Sequence, residues 1–461
     1  MNRRAHFKSY SSLLLFIWIF GGISYLFRSL GVEEYIGLYF TCLISYFAIG
    51  LLFFARKYRT EDTIFDSFTL ITLLYIIMMF VVPMEDMITG NYYTSSAGSV
   101  NVFPYGIKAT IAFDLGYLAY YFGYVYRHRH SFEDIVIDDS GINYNQTALN
   151  CLVVWIISFS SAVLYLISTG KTLAYIFSAG TNGVIDQNLV SETPLMFLSV
   201  PSHMMIPTAF MYCKYGKNKL LKCLLIFLTL DYFWLRGFRY IIVIMAWSAV
   251  ISYYTIKQKK PRVFSVVALV IVLIAVIGIV GGARNAVRSG MKFDLSGNET
   301  AIEQVLENFS IYKTYYAVVK ACPSMVPFNF LEQIVGYTII MFVPRAIWPG
   351  KPYPTGGAPI IYGLSAYSAQ AGAAYPNIGE YYYSAGFVGV IFFMCIYGIW
   401  NRELEKKLCR EINTGQLIVY SVILASNFQL IIRGYTPGNF YMLLFMFLPT
   451  FLISNNKRFD V

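Results

Sequence analysis

The chain has 461 residues, of which 57% are hydrophobic and only 13% charged, with a formal net charge of +10. A soluble domain cannot bury that much apolar surface, and the apolar runs are too long and continuous for outer-membrane strands, which alternate over about ten residues. What is left is an all-α, polytopic integral membrane helical bundle.

In chain order, apolar runs of spanning length cover approximately 12–27, 35–55, 64–83, 107–126, 148–168, 195–213, 220–235, 240–256 and 263–282, then 378–400, 414–432 and 438–454. The first run follows Arg3, Arg4 and Lys8 and meets no small-residue cleavage site, so it reads as an uncleaved helix. Basic clusters recur at every second boundary. They are Arg56 to Arg59, Arg127 with Arg129, Lys214 to Lys222, Lys257 to Arg262, Arg402 to Arg410, and Lys457 with Arg458. The positive-inside rule places all of them, and both termini, in the cytoplasm.

Parity then puts residues 283–377 outside. The apolar run Leu331 to Val343 lies within that region and cannot be a single crossing. It reads as a re-entrant or interfacial segment, tolerated at membrane depth only where protein buries it or it lines a wet cavity. The expected architecture is one transmembrane domain over residues 1–461, with about 12 transmembrane helices. Its large external region, 283–377, carries an amphipathic helix from Glu299 to Val319 and the re-entrant segment.

Several cations fall on the external side, against the insertion bias: Arg28, Arg236, Arg239, Arg284, Arg288, Lys292, Lys313, Lys320, Arg345, Lys351 and Arg433. Taken singly, each is explained as well by an acidic partner or a lipid phosphate as by a ligand. Taken together, the arginines point to a polyanionic ligand at the outer face. RGFR, Arg236 to Arg239, forms a whole helix hairpin, and Arg284 and Arg288 follow the paired glycines of GGARNAVR. Planar guanidinium groups suit phosphate oxygens through bidentate hydrogen bonds.

Past Lys351 the chain turns to glycine, alanine, serine and tyrosine, and Tyr381 and Tyr382 offer ring faces on which sugars stack. Glu380, at the outer start of a helix, is either dipole compensation or a general base. His203, between Pro201 and Pro207, is either a proton carrier or a neutral ring bonded to a freed carbonyl. The seven cysteines, an odd number set mostly in apolar runs, read as small buried hydrophobes. Neither a nucleotide-binding loop nor a metal motif is present, and nothing suggests nucleic acid.

PRAIWPGKP, Pro344 to Pro352, with PNIGEYYYSAGFVG, Pro376 to Gly389, resembles the O-antigen polymerase (Wzy-type) family of bacterial envelope enzymes. RGFR and GGARN are similar to segments of that family, and Arg345 and Gly356 fit its arginine–ten residues–glycine spacing. The resemblance implies a glycosyltransferase at the outer, periplasmic face of the cytoplasmic (inner) membrane, working without cofactor or metal. Its substrates would be undecaprenyl-diphosphate-linked oligosaccharides. A chain-length regulator and a flippase would be its partners, alongside membrane lipid. Glu380, His203 and Arg345 would then be catalytic. Arg236, Arg239, Arg284, Arg288, Lys351, Tyr381, Tyr382 and Arg433 would bind substrate.

Two other readings share the architecture. An O-antigen ligase depends on a histidine in a large external loop, and none lies beyond His203. A lipid-linked oligosaccharide flippase or transporter would show two related halves with broken helices near mid-membrane, whereas the special residues here gather at one face.

Overall fold

The computed structural model describes residues 11–59, 65–92, 101–126, 136–168, 196–235, 239–257, 309–341, 343, 347–351, 375–408 and 412–453. The helices are α1 (Ser11–Arg28), α2 (Ile36–Arg59), α3 (Ser67–Thr89), α4 (Gly106–Val125), α5 (Tyr144–Ser168) and α6 (Met205–Tyr215). They continue as α7 (Lys219–Leu235), α8 (Arg239–Ile256), α9 (Tyr312–Ala321), α10 (Asn377–Leu408), α11 (Thr414–Ile432) and α12 (Thr436–Phe447). Polar residues set their starts. Asp66 accepts from the Thr69 amide at 2.6 Å to open α3, and Asn413 and Gln416 form a capping box on α11.

Six of these helices are long and apolar enough to cross a membrane: Ser12–Gly31, Ile36–Tyr58, Ser67–Thr89, Tyr144–Ser168, Asn377–Lys406 and Thr414–Ile432. Tyr240–Ile256 and Thr436–Leu452 are apolar but shorter. The sequence reading, about twelve crossings, counted more. The difference has visible causes. Lys108 and Asp114 interrupt α4, and α6 is preceded by a tight 3-10 stretch, Met196–Met204, with Pro201 inside it. The expected run at 263–282 lies outside the described residues.

The bundle packs as two apolar cores. One is built by α2, α3, α4, α9 and the N-terminal two-thirds of α10, and the other by α5 to α8 with α11 and α12. Trp400 and Leu430 touch both. Lipid is as apolar as a helix face, so helices associate in a membrane through close approach and polar contacts. The α4–α10 seam uses the first device: a Cβ on Gly123 would lie 2.2 Å from the Cys395 carbonyl oxygen, and one on Gly398 2.2 Å from that of Tyr120.

The polar device gathers at the two ends. At one end a buried network joins α2, α3, α4 and α10. Lys57 pairs with Asp66, Glu405 accepts from the Ser67 amide at 2.7 Å, and Tyr124 donates to Glu405. Arg56 lies 4.9 Å over the Tyr124 ring. These are basic residues that the sequence reading took as topogenic; the structure buries them in ion pairs and ring contacts. At the other end Arg28 makes a bidentate pair with Glu85, at 2.7 and 2.8 Å, and Lys313 reaches Asp86 at 3.0 Å.

The described part of the expected amphipathic helix, α9, is enclosed. Tyr312, Tyr315 and Tyr316 are fully buried, and their hydroxyls have partners inside, Asp86 for Tyr312 at 2.5 Å and the Ala109 carbonyl for Tyr315 at 2.8 Å. The 331–343 run forms a π-helical turn, Glu332–Tyr337, followed by one α-turn, Thr338–Ile340, too short to cross.

The seam yields a direct test. Gly398→Ala is expected to destabilise the protein by about 1–3 kcal/mol, because the added methyl group meets backbone rather than a movable side chain. Gly31→Ala, at a glycine with nothing within 4 Å of the added Cβ, is expected to be neutral. Thermal unfolding of the two variants in detergent checks both.

Candidate active site

Helix α11 stops at Ile432 and α12 begins at Thr436, so the sequence RGYTPG makes the turn between two membrane helices. Pro437 sits in the first turn of α12, where its missing amide hydrogen does no harm. Gly434 lets the turn dock on another backbone: a Cβ there would lie 2.4 Å from the Asn377 Cα, and its amide donates to the Tyr375 carbonyl at 2.8 Å. Thus the PNIGEYYYSAG stretch of one core meets the RGYTPG turn of the other.

Glu380 closes this junction from one turn inside α10. It is 1% exposed. Its Oε2 accepts from the Thr436 hydroxyl at 2.6 Å and the Thr436 amide at 3.0 Å. Its Oε1 accepts from the same amide at 3.1 Å and from Gln333 Nε2 at 3.2 Å. The carboxylate therefore caps the positive end of α12 and holds the short 332–340 segment as well. Gln333 Nε2 also donates to the Tyr375 hydroxyl at 2.9 Å, and Tyr441 donates to the Thr338 carbonyl at 2.5 Å.

Arg433 sits at the edge of this clamp. Its guanidinium is reached by solvent. The surrounding protein nevertheless pushes its pKa down from the ordinary value by desolvation, and the phenol of Tyr240 acts in the opposite sense. An ion pair reaches it from none of the described residues, whereas Arg28 and Lys313 each have a carboxylate. Tyr240 follows Arg239 at the start of α8, so that helix start lies near Arg433. An unpaired guanidinium walled by protein and open on one side attracts an anion more strongly than a solvated one would.

The other sequence candidates are distributed as follows. Arg236, Arg284, Arg288 and Arg345 lie outside the described residues, and of Arg239 only the backbone at the start of α8 is described. Lys351 is buried and donates to the carbonyls of Met341 at 2.7 Å and Val343 at 3.1 Å, closing the end of the segment that leads to Arg345. Tyr381 stacks on Phe393 at 5.2 Å, and Tyr382 is buried against Tyr315, Phe328 and Phe387. Both rings thus sit within a packed helix, not on a loop. The His203 Nδ1 lies 2.9 Å from the Val200 carbonyl, and its ring contacts Phe233 at 5.6 Å.

The sequence reading did not single out Gln333, Tyr375, Gly434 or Thr436. The available signal was the GYTPG turn following Arg433, whose glycines and proline mark a fixed backbone. Below the clamp α10 breaks, with Ala385 at φ −157° and ψ 34° and Gly386 at φ 60° and ψ −138°. The left-handed Gly386 lets Asn377–Ser384 stand as a separate short helix.

No curated protein and no solved structure matches the chain. A family model described as O-antigen polysaccharide polymerase Wzy matches residues 10–457, which includes the RGYTPG turn, the short segment and the whole of α10. The chain belongs to the O-antigen polysaccharide polymerase Wzy family.

Proposed function

We propose that the protein transfers a growing glycan from undecaprenyl diphosphate to a lipid-linked repeat unit, at the outer face of the bacterial cytoplasmic membrane. Family membership implies polymerisation of O-antigen repeat units. The observation that carries the finer reading is Arg433, an outer-end guanidinium with no acid partner among the described residues. The acceptor hydroxyl attacks the anomeric carbon, the bond to the diphosphate oxygen breaks, and the electron pair leaves with the diphosphate. Guanidinium groups already in place stabilise that charge more in the transition state than before it. Arg236, Arg239, Arg284, Arg288 and Arg345 join Arg433 in this proposal on their sequence motifs.

The proton of the acceptor hydroxyl needs a base. Glu380 is the first candidate from sequence and His203 the second. The surroundings of Glu380 favour a positioning role, since both oxygens are engaged by Thr436 and Gln333. Its carboxylate fixes the turn that presents Arg433. Lys351 supports the approach of Arg345 by holding the end of the short segment.

The inner and outer assignment of the two ends rests on charge. Arg56, Lys57 and Arg402 gather around Asp66, Tyr124 and Glu405 at the end opposite Arg433, and Asp139 ties Lys214 to the start of α11. That end is cytoplasmic in this reading, with the termini and about twelve crossings arranged accordingly.

Arg433→Gln is expected to lower turnover by about 30- to 1,000-fold, the loss of about 2–4 kcal/mol of transition-state stabilisation. Arg433→Lys recovers only part, because an ammonium lacks the fork. Polymer length and amount from purified enzyme and lipid-linked repeat units measure both; equal activity of the lysine variant would assign Arg433 to anchoring.

A cysteine placed at exposed Gly350 is expected to react with an impermeant thiol reagent in cells whose outer barrier has been permeabilised. One at exposed Lys217 is expected to react only after lysis. The reverse pattern would invert the orientation.

A further inference from the structure

Beyond the Arg433 site, two other outer-end cations lack an acid. Lys108 lies in the first turn of α4, which holds no acidic residue, and Lys320 in the last turn of α9. Among the described residues, no carboxylate lies within ion-pair distance of either, although Lys313 on the same α9 is paired with Asp86 at 3.0 Å. A lysine in the first turn of a helix is also opposed by the helix dipole.

The helices that carry the two lysines, α4 and α9, pack against each other. The Tyr315 hydroxyl bonded to the Ala109 carbonyl at 2.8 Å fastens α9 to the start of α4. The Lys108 ammonium sits 5.9 Å from the Tyr382 ring centre, and that of Lys320 6.0 Å from the Tyr105 ring centre. Lys108 also acts electrostatically on the thiol of Cys322, two residues beyond Lys320, whose pKa burial pushes up to about 11. Two cations over aromatic faces, with no acid among the described residues to neutralise them, form a positive patch.

This patch is close to the clamp and separate from it. Tyr382 and Glu380 share the short helix Asn377–Ser384, and two residues turn about 200° around a helix axis. Glu380 therefore faces Thr436 and the Arg433 turn, and Tyr382 faces Lys108 on the other side. One short helix stands between two cationic groups.

We propose that Lys108 and Lys320 form a second phosphate site, for the diphosphate of the second membrane lipid that the reaction consumes. The inference rests on the polymerase reading: one lipid gives up its glycan while another, carrying a single repeat unit, receives it. Both diphosphates must be held with their sugars meeting between them. The departing diphosphate gains charge and needs guanidinium forks. The acceptor's diphosphate is a spectator, and a point charge is enough to place it. The assignment is therefore the leaving group at Arg433 and the acceptor at the lysines.

The test counts bound carriers. Full-length protein in phosphatidylcholine nanodiscs is titrated with undecaprenyl diphosphate, and occupancy is read by native mass spectrometry. The wild type is expected to bind two equivalents, and the Lys108→Ala/Lys320→Ala variant one, with the affinity of the remaining equivalent unchanged. That retained equivalent shows that the variant is folded. The second equivalent is expected to persist in nanodiscs containing phosphatidylglycerol. Two equivalents in the double variant, one in the wild type, or displacement of the second by phosphatidylglycerol would overturn the proposal. The last result would make the lysines anchors for bulk anionic lipid. A wild type that binds none would overturn the polymerase reading together with the second site.

Discussion

The contact on which this end of the bundle depends is the buried carboxylate of Glu380 on the first turn of α12. A carboxylate withdrawn from water costs several kcal/mol unless good donors replace its hydration. Here an amide, a hydroxyl and a side-chain amide do so, and the dipole of α12 adds to them. The consequence is mechanical. Glu380 belongs to α10 and Thr436 to α12, so the bond joins the two apolar cores at the point where Gly434 lies against Asn377. Arg433, one residue before that glycine, inherits a fixed position from a contact it does not make.

Pairing sorts the cations at this end into two kinds. Arg28 with Glu85 and Lys313 with Asp86 link α1, α3 and α9, and their charge is spent within the protein. Arg433 has no such partner, and neither do Lys108 and Lys320 among the described residues. In the proposed reading their counterpart is the anionic substrate. The charge left over at this end is thus the part that the proposed function would use.

The sequence made much of this visible. Long apolar runs marked the helices, and basic clusters grouped the ends that the structure joins through Lys57, Asp66 and Glu405. Of the proline- and glycine-rich motifs, PNIGEYYYSAGFVG fell on the clamp itself. Three things were hidden, for definable reasons. The acids that neutralise Arg28 and Lys313 are 57 and 227 positions away, and hydropathy carries no information about such pairings. Tyrosine was read as a sugar platform, yet its ring suits a core and its hydroxyl can be satisfied there, as in Tyr312 and Tyr315. Finally, membrane helices are apolar on both the lipid side and the packed side, so periodicity could not tell that α9 would be enclosed.

The central claim is that Glu380 works by placing Arg433, and binding without turnover tests it most directly. The measurement is the affinity of the full-length protein for undecaprenyl diphosphate, with no acceptor present, in the wild type and in Glu380→Gln. The account predicts binding at least about tenfold weaker in the variant, a loss of about 1.4 kcal/mol. Undiminished affinity in a variant that has lost turnover would contradict it and make Glu380 the group that takes the proton.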